Sequence, residues 1–353
     1  MNRPPVTFVL YAYNQERFVR EAVRGALSQT YSPLQILISD DCSQDRTFEI
    51  IKEEVGEYDG PHEVVLNRNE RNLGLSRHVN RTIELSEGEL IVVAAADDVS
   101  LPERTEEIVR VWSGGGVSCV CSDVIIIDED GVDRGGFVGG KPLPVASWQE
   151  AIQNENTSVL GCSFAWDRRI FSAFGPLPEG ISQEDKAVQL RATLLGRIAF
   201  VDKRLVKWRR HGENVSRDVS EQLRMDLKQF TAFHSAHARE RGAVYASWVS
   251  DMRRFSADHP ETSAGFRQAM QTVAAMAELN DFKASIPDYD PMDRLRSGVR
   301  TAARIRRLGP RPVLQVCLLS ASPKAYFQAQ KLFYRMKLWR RGLLATASSK
   351  NAP

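Results

Sequence analysis

Residues 6–29 read VTFVLYAYNQERFVREAVRGALSQ, and this stretch indicates the fold class. Val6–Tyr11 is a short run of β-branched and aromatic residues, which is typical of a buried parallel strand. From Glu16 to Gln29 the apolar residues recur at helical spacing, at Phe18, Val19, Ala22, Val23, Ala26 and Leu27. The stretch therefore predicts a buried strand followed by an amphipathic helix.

Two further strand–helix units and a fourth strand follow within the first hundred residues. Strands are predicted at Gln35–Ser39, Val64–Leu66 and Leu90–Ala95, and helices at Asp45–Val55 and Ser76–Ser86. Successive units of this kind imply right-handed crossovers and a mostly parallel sheet. The chain is therefore predicted to be an α/β protein.

Beyond residue 100 the pattern is less regular. It predicts a helix from Pro102 to about Trp112, a long apolar strand at Val117–Ile127 and a loop rich in Gly and Pro at Gly135–Pro144. Further strands are predicted at Leu160–Trp166 and Arg197–Val201, with a helix at Gln183–Leu195 between them. From Ser220 to about Leu279 the spacing of apolar residues is helical.

The 353 residues are 42% hydrophobic and 26% charged, a composition that allows a full core and excludes a mostly disordered chain. The length predicts two units, or one domain with an extension. The five cysteines form no C-x-x-C pair, so we expect reduced thiols, with Cys119 and Cys121 as small core residues. The apolar stretch near the N-terminus is too short and too polar for a signal peptide. No apolar run reaches the ~20 residues that a membrane span needs, so we expect a soluble or peripheral cytoplasmic protein.

The formal net charge of +2 hides two oppositely charged regions. Residues 294–341 contain 13 Lys and Arg and no Asp or Glu, whereas residues 1–293 carry 33 basic and 45 acidic residues. Apolar and aromatic residues are interleaved with the basic ones. Such a segment fits a helical face that packs on the acidic body, or one that binds an anionic membrane surface. Nucleic acid is a third and weaker alternative, because the body is acidic.

Polar side chains follow three of the predicted strands. Tyr13 and Asn14 follow the first strand, Asp40-Asp41 the second and Asp97-Asp98 the fourth. Each cluster alone is typical of a solvated turn or a helix cap. Because the carboxyl ends of parallel strands meet at one edge of the sheet, where such folds bind ligands, the three together predict a ligand site.

Two acidic pairs and one histidine are candidates for the chemistry of that site. Asp97-Asp98 suits a hard divalent cation, which takes oxygen ligands. Glu184-Asp185 starts a predicted helix, where acids complement the helix dipole or, alternatively, supply a general base. His211 lies in a polar loop with Arg209 and Arg210. The sequence contains no dinucleotide-binding G-x-G-x-x-G motif, P-loop or G-x-S-x-G motif.

These stretches together resemble family 2 of the inverting, nucleotide-sugar-dependent glycosyltransferases, of the bacterial cell-surface glycan type. The resemblance spans about residues 6–216 and rests on Val6–Gln29, Ile36–Thr47, Asn72–Asn80, Gly88–Arg104, Glu184-Asp185 and Trp208–Ser216, in the family's order. It implies the GT-A fold, a Rossmann-like, mostly parallel sheet flanked by helices, here with a helical C-terminal extension.

The resemblance also implies a nucleotide-sugar site. Tyr11, Tyr13 and Asn14 match the motif that lines the base pocket, and Asp41 matches the carboxylate that binds the imide N–H of a uracil-type base, which favours a UDP- or dTDP-sugar. Residues that match the donor site further along the chain are Asn72, Gly74, Arg77, Asn80 and Asp97, with Arg77 and Arg209 as candidate diphosphate contacts.

The remaining matches concern the metal and the base. Asp97 and Asp98 match a D-x-D-like element, with the first expected on the ribose and the second on Mn²⁺ or Mg²⁺. The first position of that element is Ala96 instead of Asp, so the resemblance implies metal dependence without fixing its tightness. His211 matches a loop residue that completes metal or diphosphate binding, and Asp185, beside Glu184, matches the catalytic base.

The sequence as a whole predicts an inverting hexosyl- or deoxyhexosyltransferase of cell-surface polysaccharide or lipid-linked glycan synthesis. We expect a GT-A domain at 1–218, with a nucleotide-sugar half at 1–100 and an acceptor half at 101–218, then a helical region at 219–293 and a basic amphipathic segment at 294–353. The alternatives are a nucleotidyltransferase on a related sheet, disfavoured because no Gly-rich triphosphate loop follows the first strand, and a non-catalytic glycan-binding descendant.

Overall fold

The structure is a computed structural model, and it describes residues 3–136, 144–153, 161–212, 214, 219–260 and 263–340. Most of the loop predicted at Gly135–Pro144, the start of the strand predicted from Leu160, and the last residues of the Trp208–Ser216 motif lie outside these ranges. The basic segment is described as far as residue 340.

One mixed sheet contains the nine strands found among the described residues. They are β1 (Val6–Ala12), β2 (Leu34–Asp40), β3 (Glu63–Arg68), β4 (Leu90–Ala95), β5 (Val99–Ser100), β6 (Val117–Ile127), β7 (Asp133–Gly135), β8 (Ala165–Asp167) and β9 (Arg197–Arg209). Their order is β3-β2-β1-β4-β8-β6-β9-β5, and β7 pairs with β6. This arrangement confirms the predicted α/β class.

The first half of the sheet is parallel and lines up the three predicted polar clusters. β1 pairs in parallel with β2 and β4, so Ala12 lies opposite Asp40 and Tyr11 opposite Ala95. Every residue of β2 is buried, the polar Gln35, Ser39 and Asp40 included, as expected of a parallel strand covered on both faces. The turns that carry Asn14, Asp41 and Asp97 therefore leave the same edge of the sheet.

The second half of the sheet is mixed and brings a distant strand to that edge. β8 runs antiparallel to both β4 and β6, and β9 runs parallel to β6. β9 was predicted to end at Val201 but continues to Arg209. Its end pairs with β5, which follows Asp97-Asp98 directly, with Val99 opposite Lys207. This short ladder places the Arg209–His211 segment beside the two aspartates.

Thirteen α-helices account for most of the remaining described residues. They are α1 (Val19–Leu27), α2 (Thr47–Gly56), α3 (Leu75–Leu85), α4 (Arg104–Trp112), α5 (Trp148–Gln153), α6 (Arg169–Phe174), α7 (Glu184–Leu195), α8 (Val219–Arg224), α9 (Leu227–Asp258), α10 (Ser263–Ser285), α11 (Pro291–Arg304), α12 (Pro310–Ala321) and α13 (Pro323–Arg340). No helix of the described ranges has the length and apolar character needed to cross a bilayer.

Internal contacts divide the chain into two compact units. The first comprises residues 1–212 and 247–266, and the second residues 213–246 and 267–353. In the first unit, Asp251 forms a buried ion pair with Arg191 of α7 (Nε–Oδ2 2.8 Å), and Trp248 Nε1 donates to the Lys186 carbonyl (2.9 Å). These contacts hold the helix that begins with Glu184 and Asp185. The domain boundaries placed at 218 and 293 stay predictions.

Candidate active site

Asp41 organises the turn that was expected to shape the nucleotide site. Its buried carboxylate accepts hydrogen bonds from the backbone N–H groups of Leu73 (2.8 Å) and Gly74 (3.0 Å) and from the Asn69 side-chain amide (2.8 Å). Gly74 has φ +74°, a conformation that glycine adopts without a Cβ penalty. The structure therefore brings Asp41 and the Asn72–Asn80 segment together, and it shows a structural task for Asp41 in addition to the predicted base contact.

The turn after β1 is fixed to the turn after β2. Asn14 has φ +52°, its N–H donates to Ser43 Oγ (2.9 Å), and its side-chain oxygen accepts from the Gln44 N–H (2.9 Å). Tyr13, beside it, is 42% exposed and is available to a ligand base. The two turns form one preorganised surface at the sheet edge.

Tyr11 points toward α3. Its hydroxyl shares a hydrogen bond with Thr82 Oγ1 (2.8 Å), and its ring packs edge-on against His78, with centroids 5.2 Å apart. Burial, more than any charge, raises the pKa of Tyr11, and the charge of Glu184 raises it further. The contacts with Thr82 and His78 therefore hold the Tyr11 side chain against α3.

Two contacts connect α3 to the segment that leads into α7. The Asn80 side chain donates to the Leu177 carbonyl (2.8 Å) and accepts from the Leu177 N–H (2.7 Å), and Arg77 forms an ion pair with Glu179. Both Arg77 and Glu179 are largely exposed, so solvent screens this pair. Arg77 would have to exchange Glu179 for a phosphate in order to bind a diphosphate.

Asp97 and Asp98 lie against the end of β9. The Arg209 N–H donates to Asp98 Oδ1 (2.8 Å), Arg209 Nε donates to the Asp97 carbonyl (3.0 Å), and His211 Nε2 lies 3.0 Å from Asp97 Oδ2. Asp98 is 4% exposed, and its pKa is raised well above the usual range by burial and then by the charge of Asp97. The structure thus assembles the three residues of the predicted metal and ribose site.

Arg209 has a different environment from the one its predicted diphosphate contact requires. Its side chain is 1% exposed, and its guanidinium donates to the Glu129 carbonyl (3.1 Å) and the Glu21 carboxylate (2.8 Å) and lies 4.8 Å from the centre of the Phe18 ring. These contacts direct the guanidinium into the protein. They support a role in holding the Asp97-Asp98 turn, and the diphosphate contact stays a prediction.

Arg104 is a buried cation near Asp98 that the sequence interpretation did not single out. It is fully buried, donates to Ser100 Oγ (2.8 Å) and to the Val93 carbonyl (2.7 Å), and lowers the pKa of Asp98 through its charge. Burial lowers the pKa of Arg104 itself to about 10. Its place at the start of α4, six residues after Asp98, is the sequence signal that marks it.

Glu184 and Asp185 occupy the first turn of α7, partly buried. A Cβ on Gly161 would lie 3.5 Å from Glu184 Oε1 and 3.7 Å from Asp185 Oδ2, so the glycine backbone borders both carboxyl groups. Asp185 Oδ1 also accepts from the Lys186 N–H (2.8 Å), which agrees with the helix-start alternative. Burial, followed by the charge of Asp185, raises the pKa of Glu184 to about 8.

One short 3₁₀ turn, Gly161–Ser163, lies between the two acidic pairs. Gly161 borders Glu184 and Asp185, and the carbonyl of Phe164, the residue after the turn, accepts a hydrogen bond from the Val93 N–H of β4 (3.0 Å). The turn leads directly into β8, which pairs with β4, the strand that ends at the aspartates. The predicted metal and base residues therefore converge, although 87 residues separate Asp98 from Asp185.

Asp98 and His211, which lie on either side of Asp97, are ligand types that a divalent cation accepts when a phosphate supplies further oxygens. Within the described ranges, no three His, Cys, Asp or Glu side chains are grouped closely enough to hold a metal by themselves. Mg²⁺ commonly uses only one or two protein carboxylates and completes its coordination with substrate phosphates and water. A buried carboxylate such as Asp98, whose pKa is raised in the absence of a cation, is the kind of group that a bound cation stabilises.

We expect Glu184 to make the stability of the protein depend on pH. Because the folded-state pKa of about 8 exceeds the usual 4.5, Glu184 contributes stability that is full below pH 4.5 and lost as pH rises through 8. The glutamine of Glu184→Gln cannot ionise, so only the wild type loses this stability. The free energy of unfolding of the variant minus that of the wild type should therefore be roughly 2–4 kcal/mol larger at about pH 9 than at about pH 5. Urea unfolding of both proteins at the two pH values measures this difference, and a difference independent of pH would contradict the assignment.

Comparisons with known proteins show what the chain is similar to. Residues 7–169 match the family model described as Glycosyl transferase family 2, a range that contains Asp41 and Asp97-Asp98 but ends before Asp185. An uncharacterised protein of Mycobacterium tuberculosis is 24% identical over 217 residues, which are 60% of this chain and 60% of that protein. The chain thus matches about three-fifths of the length of such curated relatives.

Solved structures share the fold across nearly the whole chain. S. aureus TarS 1–349 in complex with UDP-GlcNAc has a TM-score of 0.52 at 15% identity, covering 94% of this chain and 92% of that one. The mannosyltransferase PcManGT from Pyrobaculum calidifontis, in complex with GDP-Man and Mn²⁺, has a TM-score of 0.50 at 14% identity, covering 96% and 88%. The fold is GT-A-like, and the family match together with this fold supports a glycosyltransferase.

Proposed function

We propose that the chain is an inverting glycosyltransferase that moves a hexosyl or deoxyhexosyl group from a nucleotide diphosphate sugar to an acceptor hydroxyl. The observation that carries this proposal is the position of the Gly161–Ser163 turn: Gly161 borders Glu184 and Asp185, and the next residue, Phe164, is hydrogen-bonded to the strand that precedes Asp97-Asp98. This arrangement puts the carboxylates proposed to bind the ribose and the cation of the donor near the carboxylates proposed to act on the acceptor hydroxyl. The sheet edge that holds them is the one where such folds bind ligands.

Asp185 is the proposed general base. An inverting transfer is a single in-line displacement, in which the acceptor hydroxyl loses its proton as its oxygen attacks the anomeric carbon. Glu184, with a pKa of about 8, carries a proton at neutral pH, which removes one negative charge from the pair. We therefore assign the proton transfer to Asp185 and give Glu184 the task of orienting it.

Asp98 and His211 are the proposed ligands of Mn²⁺ or Mg²⁺, and Asp97 is assigned to the ribose. When bound, the cation neutralises the charge that develops on the departing diphosphate. Arg209 keeps the two aspartates in place through its backbone N–H and its guanidinium. Arg77, once released from Glu179, is the proposed second cation for the diphosphate.

Asp41 and the turns after β1 and β2 are proposed to select the base of the donor. The carboxylate of Asp41 accepts hydrogen bonds, as recognition of a uracil or thymine imide N–H requires, so we favour a UDP- or dTDP-sugar. Tyr13 is exposed beside it and offers a ring for stacking, and Asn14 fixes the backbone between them. The UDP-GlcNAc complex of TarS supports a uridine donor, whereas PcManGT binds a guanosine donor on a similar fold.

The acceptor is proposed to be a glycan or lipid-linked glycan used in cell-surface polysaccharide synthesis. The basic segment supports this proposal, because it suits a protein that works as a peripheral enzyme on the cytoplasmic face of a membrane. The nucleotide that is released tests the proposal directly. A glycosyltransferase releases a nucleoside diphosphate from a nucleotide sugar, a nucleotidyltransferase releases pyrophosphate from a nucleoside triphosphate, and a non-catalytic descendant releases neither.

A further inference from the structure

Large exposed hydrophobic side chains are concentrated in the C-terminal helices. Of the eleven found among the described residues, only Tyr13, Leu66 and Val132 lie before residue 290, and the other eight lie between Met292 and Met336. Isolated exposed apolar residues are normal, whereas a concentration of them marks a surface that meets another apolar phase. We therefore expect this part of the second unit to be an interaction surface.

On α11 the exposed apolar residues form one stripe beside arginines. Met292, Leu295 and Val299 follow the i, i+3, i+7 spacing of a single helix face and are 58%, 48% and 66% exposed. Arg296 and Arg300 each follow one residue after a member of the stripe and are exposed next to it. The helix thus presents an apolar strip bordered by guanidinium groups, the pattern of a helix that lies in a membrane interface.

The next two helices, α12 and α13, also have exposed apolar residues, alongside others that are buried. On α12, Leu314 and Leu318 are 58% and 48% exposed, one turn apart, while Val316 and Leu319 are buried. On α13, Leu332, Phe333 and Met336 are 59%, 62% and 47% exposed. The buried residues of these helices pack into a core with residues such as Phe230 and Phe282 of the same unit. The unit therefore already has a hydrophobic core, and the exposed apolar residues are not part of it.

The positive charge of this surface indicates which kind of partner it binds. No Asp or Glu follows Asp293, and among residues 294–336 the structure records a single ion pair, between Arg296 and Asp293 at 3.7 Å. Two copies of such a surface would repel each other. Residues 1–293 offer complementary charge, but in the part of them that the structure describes only four large hydrophobics are exposed, one of them Met292 itself, to cover the apolar strips. An anionic lipid surface supplies both the negative charge and the apolar interior.

We propose that the exposed apolar residues of α11, α12 and α13, with Arg296 and Arg300 beside the strip on α11, together called the basic apolar surface, bind the surface of an anionic phospholipid bilayer. The proposal deepens the proposed function by naming the partner of the enzyme's C-terminal unit. The helices lie on the bilayer: the apolar side chains enter the headgroup region, and Arg296 and Arg300 pair with lipid phosphates. Binding then weakens as salt screens the charges.

Co-sedimentation of the full chain with vesicles tests this proposal. We expect binding to phosphatidylcholine vesicles that contain phosphatidylglycerol, and at least about tenfold weaker binding to phosphatidylcholine alone. Arg296→Glu/Arg300→Glu and, separately, Leu295→Ser/Val299→Ser should each weaken binding about tenfold or more. Leu66→Ser/Val132→Ser is the matched control with exposed apolar residues of the first unit, and it should bind like the wild type. Circular dichroism checks that each variant is folded.

Three results would overturn the proposal: equal binding to both kinds of vesicle, wild-type binding by both surface variants, or no vesicle binding by a chain that instead dimerises through this surface. The assay contains no nucleotide sugar, and the Asp185→Asn variant should bind vesicles like the wild type. A failure of vesicle binding is therefore distinct from a failure of the proposed catalysis, which is measured as nucleotide release without vesicles.

Discussion

Asp185→Asn is expected to reduce the rate of sugar transfer by about 10²–10⁴-fold and to leave the affinity for the nucleotide sugar close to that of the wild type. Asparagine keeps the size of the side chain and its hydrogen bond to the Lys186 N–H, but it cannot take the proton of the acceptor hydroxyl. The Gly161 backbone and the Glu184 carboxyl that border the residue remain in place. Turnover at saturating donor and calorimetry of donor binding measure the two quantities.

The control for this prediction is Glu103→Gln, which removes an exposed carboxylate outside the site and should leave turnover unchanged. Turnover of Asp185→Asn within a few-fold of the wild type would mean that Asp185 is not the base. In that case the acidic pair at the start of α7 would have only the task of complementing the helix dipole. A loss of donor affinity equal to the loss of turnover would place Asp185 in the donor site instead.

Asp98→Ala is expected to weaken the binding of a nucleoside diphosphate at least about tenfold in the presence of Mn²⁺, and much less in EDTA. The reason is that Asp98 is the buried carboxylate proposed to hold the cation that bridges protein and diphosphate. Its removal also leaves the Arg209 N–H without its acceptor and reduces the charge that balances Arg104. Calorimetry with and without metal separates these structural effects from the loss of a ligand.

The same variant in EDTA is the internal control for Asp98→Ala. A general collapse of the site would weaken binding equally in Mn²⁺ and in EDTA, whereas loss of a metal ligand affects only the Mn²⁺ titration. If the wild type itself binds the nucleotide equally well with and without metal, the assignment of Asp98 and His211 as metal ligands is wrong. The aspartates would then bind the donor by hydrogen bonds alone.

The buried strands were predictable because apolar and β-branched residues dominate each of them. Leu90–Ala95 and Val117–Ile127 have the bounds that the sequence predicted, and β1 and β2 differ from the prediction by only one residue at an end. All four lie inside the sheet, where both faces are covered and nearly every side chain is buried. The order of these elements was sufficient to predict an α/β sheet and the edge at which its polar turns meet.

The long β9 strand was not predictable to its full length. Three exposed polar residues at 202–204 interrupt its apolar pattern, and the strand continues only because β6 supplies hydrogen bonds as far as Arg209. β5 has only two residues, and its pairing with β9 depends on a partner more than a hundred residues away. Short or interrupted strands of this kind are determined by tertiary pairing, which local patterns do not record.

The site was partly predictable, because its acids stand at recognisable points of the sequence pattern. The acids that end strands or start helices could be identified from their place in the pattern, and the structure brings Asp98 and His211 to the same turn region. The burial of the Arg209 guanidinium and the position of the Gly161–Ser163 turn depend on packing between distant elements. A basic residue in a polar loop has the pattern of a ligand contact even when the fold turns it inward.

Identification of the nucleotide product tests the central claim most directly. The full chain is incubated with Mn²⁺, a panel of nucleotide sugars and glycan acceptors, and the released nucleotide is separated by chromatography. The account predicts acceptor-dependent release of a nucleoside diphosphate, most readily from a UDP- or dTDP-sugar, and its loss in Asp185→Asn. Release of pyrophosphate in a parallel reaction that supplies nucleoside triphosphates and sugar phosphates, or no release from any nucleotide sugar in the panel while those donors bind, would contradict this expectation.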